Sequence, residues 1–293
     1  MVRRAVAVSL VCLFTLGAVP GPARAAGRSC GGPSLVAARP PEPYHPGPGE
    51  AARMVAAMRA RLRAVAPPVP ASVIVPVWVH VLTEGRLGAD DAAVTAQIEA
   101  LNAAYGGRLG GVDTGIRFTL RGVTRTEEPS WFRDPLGNEI PMKTRLRKGG
   151  ADTLNLYVGQ LGEMVLGYST YPHWYRLRPS LDGVVIDWRS LPGGALRDFG
   201  RGYTGVHEIG HWFGLLHTFE NGCAPPGDLI DDTPAESRAT QGCPQSKDTC
   251  TEPGEDPVHN FMDYSTDACM TEFTPGQAAR MRDMWAAFRL PVV

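Results

Sequence analysis

His207-Glu-Ile-Gly-His-Trp-Phe-Gly-Leu-Leu-His217 is the stretch on which the reading of this chain turns. On a helix, His207 and His211 are four residues apart, about 40° around the axis, so both imidazoles leave one face and reach one ion. Glu208 lies roughly 100° further round, placed to touch a water on that ion rather than to be a ligand. Gly214 can take positive φ and end the helix sharply, and the chain then returns His217 as a third nitrogen donor. Three neutral imidazoles with one open position are the donor set of catalytic zinc; structural zinc is closed by four protein ligands. An HExxH match alone is weak, arising by chance in roughly one chain in a hundred of this length. The glycine and the third histidine at fixed further positions set aside the reading of these as ordinary core histidines.

The chain has 293 residues and a formal net charge of -1. That balance gives no electrostatic case for nucleic acid or an anionic membrane as partner. Arg3 and Arg4, the apolar run from Ala5 to Val19, and Ala23-Arg24-Ala25 predict an export signal over residues 1–25, and with it a secreted, extracellular protein. The run is too short to span a bilayer, and no other apolar stretch approaches ~20 residues. Beyond the signal, Cys30, Cys223, Cys243, Cys250 and Cys269 remain. In an oxidising compartment the four clustered cysteines predict two disulfides, with three pairings open, and Cys30 is left over.

Residues 26–72 read as a pro-segment. Arg39 to Gly49 is too proline-rich for helix or central strand. A helix is predicted from Glu50 to Val65, with Met54, Val55, Met58, Leu62 and Val65 on one stripe, and Ala66 to Ser72 is a second linker. A lone helix between such linkers must dock its apolar face on something, and residues 73–293, a domain-sized body, are at hand. In that body, Ile74–Leu82, Ile116–Val123, the stretch with Leu154, Leu156 and Val158, and Gly183–Trp188 read as strands. Asp90 and Asp91 start a helix with Val94, Ile98, Leu101 and Tyr105 on one face. The histidine helix should run from Tyr203 to Phe213. Beyond His217 periodicity is lost until a last helix, Pro275–Phe288. The first half thus builds a sheet with helices, the second is irregular, and a cleft between them would hold the metal.

Asn260-Phe-Met-Asp-Tyr264 follows in the irregular half. Met262 could give three imidazoles a polarizable apolar floor, and Tyr264 could aim its hydroxyl at an oxyanion. Alone, both would be ordinary packing residues; the histidine motif upstream is what gives them chemistry.

HExxHxxGxxH followed by this methionine turn resembles the metzincin zinc peptidases, and within them the pappalysin group. The likeness extends to Leu166-Gly-Tyr-Ser-Thr-Tyr-Pro172, Asp182-Gly-Val-Val-Ile186, Gly227-Asp228 with Asp232-Thr-Pro234, and Phe273-Thr-Pro-Gly-Gln277. Gly205 and Val206 depart from it, where bulkier or hydroxylated residues are expected. The resemblance implies an α+β fold: a mixed, twisted sheet with two long helices in an N-terminal subdomain, an irregular disulfide-stapled C-terminal subdomain ending in a helix, and the active-site cleft between. It implies a zinc endopeptidase with Glu208 as general base and Tyr264 sharing the oxyanion, acting as a monomer on extended protein or peptide. The strand Gly183–Trp188 resembles the rim strand that pairs with substrate. Arg28-Ser-Cys-Gly-Gly-Pro33 resembles a motif in which a thiolate, here Cys30, blocks the open zinc position and keeps a zymogen latent. Pairings Cys223–Cys250 and Cys243–Cys269 are implied likewise. Asp228, Asp231, Asp232 and Thr233 offer oxygens of the kind calcium prefers, against the reading of a solvated acidic loop. The competing functional reading is a zinc-stabilised module that captures peptide without cutting it; Glu208 argues against it, since a pure ligand shell does not need that residue.

Overall fold

The computed structural model describes residues 42–64, 69–162 and 165–290; the expected signal and Cys30 lie outside the described residues. Helix α1 (Pro48–Ala64) buries Ala51, Met54, Val55 and Met58 against Tyr171, Leu216, Met284 and Phe288. Arg61 adds a hydrogen bond to the Ala287 carbonyl and lies over the Phe288 ring. The stripe that α1 cannot cover by itself is covered by the far end of the chain.

Strand β1 (Val73–Thr83) turns Val73, Val75, Val77, Val79 and Val81 to one buried face, as period-two alternation requires. Helix α2 (Asp91–Tyr105) begins where the Asp90 carboxylate accepts the Ala93 N–H, and packs Val94, Ile98 and Leu101 into the same core. Strand β2 (Ile116–Glu127) runs parallel to β1, with a register shift at Val77/Trp78. Helices α3 (Pro129–Arg133) and α4 (Glu139–Leu146) lead to β3 (Leu154–Gly159), β4 (Gly167–Ser169) and β5 (Val184–Asp187). The five strands lie in the order β2-β1-β3-β5-β4, with β4 alone antiparallel. The mixed α+β class expected from the sequence is the one observed.

One expectation about the sheet is overturned. The stretch Gly183–Trp188 does not supply a rim: β5 is paired with β3 on one side and β4 on the other, so its backbone groups are taken. The edge of the sheet on this side is β4, whose three residues are too few to show a period. Helices α3 and α4 likewise leave no clear trace in the sequence. In α4, Ile140 is exposed while Glu139 and Lys143 are buried as an ion pair at 2.7 Å, the reverse of an amphipathic pattern.

After helix α5 (Tyr203–Trp212), residues 218–273 carry only an isolated bridge between Asn260 and Glu272. Disulfides Cys223–Cys250 and Cys243–Cys269 cross this region. Buried carboxylates do the work of a ladder: Glu236 accepts from Thr218, Thr240 and Lys247, and Asp256 from the Thr249 amide and hydroxyl. Helix α6 (Pro275–Phe288) opens with a capping box between Thr274 and Gln277. Just past it, the buried Arg289 guanidinium bonds Asp182 at 3.1 and 3.2 Å and the Trp212 carbonyl at 2.9 Å. The ends of α5 and α6 are thereby pinned to the residue that leads into β5.

Candidate metal centre

Helix α5 is buried along its whole length. The departure at Gly205 has a local cause: a Cβ there would come 2.6 Å from the Gln97 amide nitrogen, which donates to the Gly202 carbonyl at 2.8 Å. At the other end Gly214 takes φ 86°, the Leu215 N–H bonds the Gly210 carbonyl and the Gly214 N–H bonds the His211 carbonyl. This helix-ending turn needs a residue without a Cβ, and a Cβ on Gly214 would also meet Met284 at 2.8 Å. The reversal brings His217 back beside His207 and His211.

The His211 Nε2 stands 3.1 Å from His207 Nε2 and 3.1 Å from His217 Nε2. The other nitrogens of His207 and His211 are engaged behind: His207 Nδ1 lies 2.6 Å from the Phe261 carbonyl, and His211 Nδ1 lies 2.8 Å from the Leu215 carbonyl and 2.8 Å from the Tyr171 hydroxyl. A proton on the Nδ1 of His207 and of His211, donated to a carbonyl, leaves the Nε2 lone pair facing the other imidazoles. Burial, opposed by Glu42, lowers His207 below the usual imidazole value and pushes His217 down to about 3. Converging lone pairs repel one another unless a cation lies between them. Ligands at about 2.0–2.1 Å from a tetrahedral ion sit roughly 3.3 Å apart, close to the observed spacing. The residues present therefore fit a divalent metal.

Around this triad, Met262 is fully buried and lies so close beneath α5 that any Cβ on Gly210 would collide with its sulfur. The turn carrying it is tied to α6 by paired amide bonds between Asn260 and Gln277, 2.8 and 2.9 Å. The Tyr264 ring packs edge-on at 4.9 Å from His217. Glu208 is buried, and Gly167 of β4 comes against its side chain with no room for a Cβ. The sheet edge and the candidate base are thus direct neighbours. Glu42, from the proline-rich stretch, also enters: its carboxylate lies 3.1 Å from His207 Nε2, 3.1 Å from His211 Nε2 and 3.2 Å from His217 Nε2. The Tyr264 hydroxyl donates to it at 3.1 Å.

The family model described as Pregnancy-associated plasma protein-A (Peptidase_M43) matches residues 198–286. An extracellular metalloprotease of Pyricularia oryzae is 44% identical over 219 residues, covering 72% of this chain and 75% of that protein. The chain belongs to the pappalysin family of metallopeptidases. A second extracellular metalloprotease, from Arthroderma benhamiae, is 39% identical over 252 residues, 83% of either chain. Mature mirolysin of Tannerella forsythia in complex with a cleaved peptide superposes with a TM-score of 0.65 at 28% identity, covering 76% of this chain and 100% of that one. A promirolysin mutant gives 0.67, over 80% of this chain and 87% of that one. The extracellular location expected from the N-terminus agrees with the names of these relatives.

In this pappalysin the acidic loop has structural tasks. The Asp232 carboxylate accepts from the Thr274 hydroxyl and the Gly276 amide at the start of α6. Asp228 accepts the Ile230 N–H, and burial pushes its carboxyl up to about 7. Asp231 is exposed, and among the described residues no cluster of three metal-ligating side chains includes any of these aspartates. The resemblance already took in the segments holding Tyr171 and Gln277, but not their tasks behind His211 and behind the methionine turn, and sequence reading missed Glu42. Glu42 stood in the stretch read only as a linker.

Proposed function

We propose that this chain is a secreted zinc-dependent endopeptidase made as a latent precursor, with residues 1–25 as signal, 26–72 as pro-segment and 73–293 as catalytic domain. The convergence of three Nε2 atoms beside a buried Glu208 carries the reading. His207, His211 and His217 would hold the zinc, which supplies Lewis acidity toward water and the scissile carbonyl. Glu208 takes the proton of the attacking water and passes it to the departing amine. Tyr264 donates its hydroxyl to the oxygen on which negative charge develops. The edge of β4 offers backbone groups to an extended peptide, and Gly167 sets that edge against Glu208. The cleaved peptide bound to mirolysin supports a peptide substrate.

Glu208→Gln tests the assignment on protein freed of its N-terminal segment. It should retain one zinc per chain by atomic absorption and lower kcat by about 10²–10⁴. Unchanged hydrolysis in that variant, or hydrolysis that survives a chelator, would remove the mechanism.

A further inference from the structure

The edge strand β4 leads into a cavity of about 340 Å³. Thr170, on its wall, continues directly from β4, whose Gly167 adjoins Glu208. At about 3.3 Å per residue, Thr170 stands on the order of 10 Å along the edge from that carboxylate. Resting on the peptidase reading above, we infer that this cavity is a substrate subsite that selects a tyrosine side chain two or three residues from the scissile bond, with Glu139 accepting its hydroxyl. Trp174 and Leu181 give the cavity an apolar body, and Glu139 and Asp182 give it an acidic end.

One phenol already stands at that acidic end. The Tyr44 hydroxyl donates to Glu139, and its ring packs edge-on at 5.7 Å from Tyr168 and 6.3 Å from Trp174. Burial first, then the bond to Glu139, raise this hydroxyl above its usual value, so it stays a donor at neutral pH. When residues 26–72 leave, as in the reading above, the place falls to substrate. Charge narrows what can enter. Glu139 pairs with the fully buried Lys143 at 2.7 Å, and Asp182 with the fully buried Arg289 at 3.1 Å. The third acid of the lining, Glu50, belongs to α1 and departs with it, while the exposed Arg178 remains. A guanidinium or ammonium would therefore shed its hydration with no counter-charge left to offset the loss. A phenylalanine ring fills the same space but leaves the Glu139 oxygen without a donor. A tyrosine meets both conditions.

Two measurements test the inference, the first of them free of turnover. In the zinc-loaded full chain, Tyr44→Ala vacates the acidic end of the cavity. There p-cresol should raise the melting temperature more than toluene does at equal free concentration. Adding Glu139→Leu and Lys143→Met together replaces the buried ion pair by apolar side chains and should abolish that difference. Toluene matching p-cresol in the Tyr44→Ala chain would overturn the inference. The second measurement takes the full chain activated by limited trypsin at the exposed Arg63. Its peptides carry tyrosine, phenylalanine, 4-methoxyphenylalanine or arginine at each of the positions flanking the scissile bond. Tyrosine should exceed the other three by about tenfold or more in kcat/KM at one position. Equal cleavage of the tyrosine and phenylalanine peptides at every position, or a preference for arginine in tyrosine's place, would overturn the inference. If p-cresol is preferred yet no form cuts any peptide, the cavity stands as a site for a phenol and the peptidase reading falls.

Discussion

Residues 73–190 and residues 218–273 reach their shapes by different forces. The first region contains no cysteine; buried valines on β1 and leucines on β3 lie under α2 and α5 in one apolar core. The second has almost no regular structure, and two disulfides with buried Glu236, Asp256 and Asp263 fix its course. His207 and His211 ride on a helix packed against the sheet, while His217, Met262 and Tyr264 hang from the irregular region. The metal site spans the seam, so it should feel the loss of either kind of support, but not under the same conditions.

Reduction should separate the two most strongly. The disulfides close loops of 27 and 26 residues, worth about 3 kcal/mol each in the chain-entropy model. Dithiothreitol should weaken zinc binding and open residues 218–273 to proteolysis before the sheet signal in circular dichroism is lost. Leu156→Ala, in the sheet, should cost about 2–5 kcal/mol in either redox state. Simultaneous loss of zinc and sheet on reduction would erase the contrast.

Next comes the irregular region's ionic core. Lys247 serves Glu236, the Arg238 carbonyl and Asp256, the last at 3.2 Å. Lys247→Met leaves buried carboxylates without their cation and should cost about 3–5 kcal/mol in urea unfolding. A cost under about 1 kcal/mol would mean this core is not what holds the region.

The smallest effect expected is a pH slope from Asp228. Its carboxyl sits at about 7 when folded, against about 3.9 when unfolded. Between those values the folded chain keeps a proton that the unfolded chain has released, so the group's contribution falls as pH rises from about 4 to about 7, by on the order of 2–4 kcal/mol. Asp228→Asn should flatten that slope and gain most over the parent near pH 8, read as urea midpoints at pH 5 and pH 8. A parallel shift at both pH values would refute the assignment.

How far sequence reading reached follows the same division. β1 shows in its β-branched residues and α2 in its period, and α6 has the bounds read for it, Pro275–Phe288. The three histidines, Glu208 and Gly214 were legible because helical geometry and one positive φ relate them locally. α4 was not, because its buried face carries Glu139 and Lys143. β4 is too short to show a pattern, which is how the sheet edge came to be misplaced onto β5. Asp182, Tyr171 and Gln277 lie in segments that the resemblance took in, but their tasks depend on partners distant in sequence, which no window on the chain can reveal.

The close approach of Gln97 to Gly205 makes those two positions epistatic. A serine or larger residue at 205, as the resemblance leads one to expect, would have to displace the Gln97 amide that donates to the Gly202 carbonyl. A larger residue at 205 therefore calls for an adjustment on α2, one helix away from the metal site.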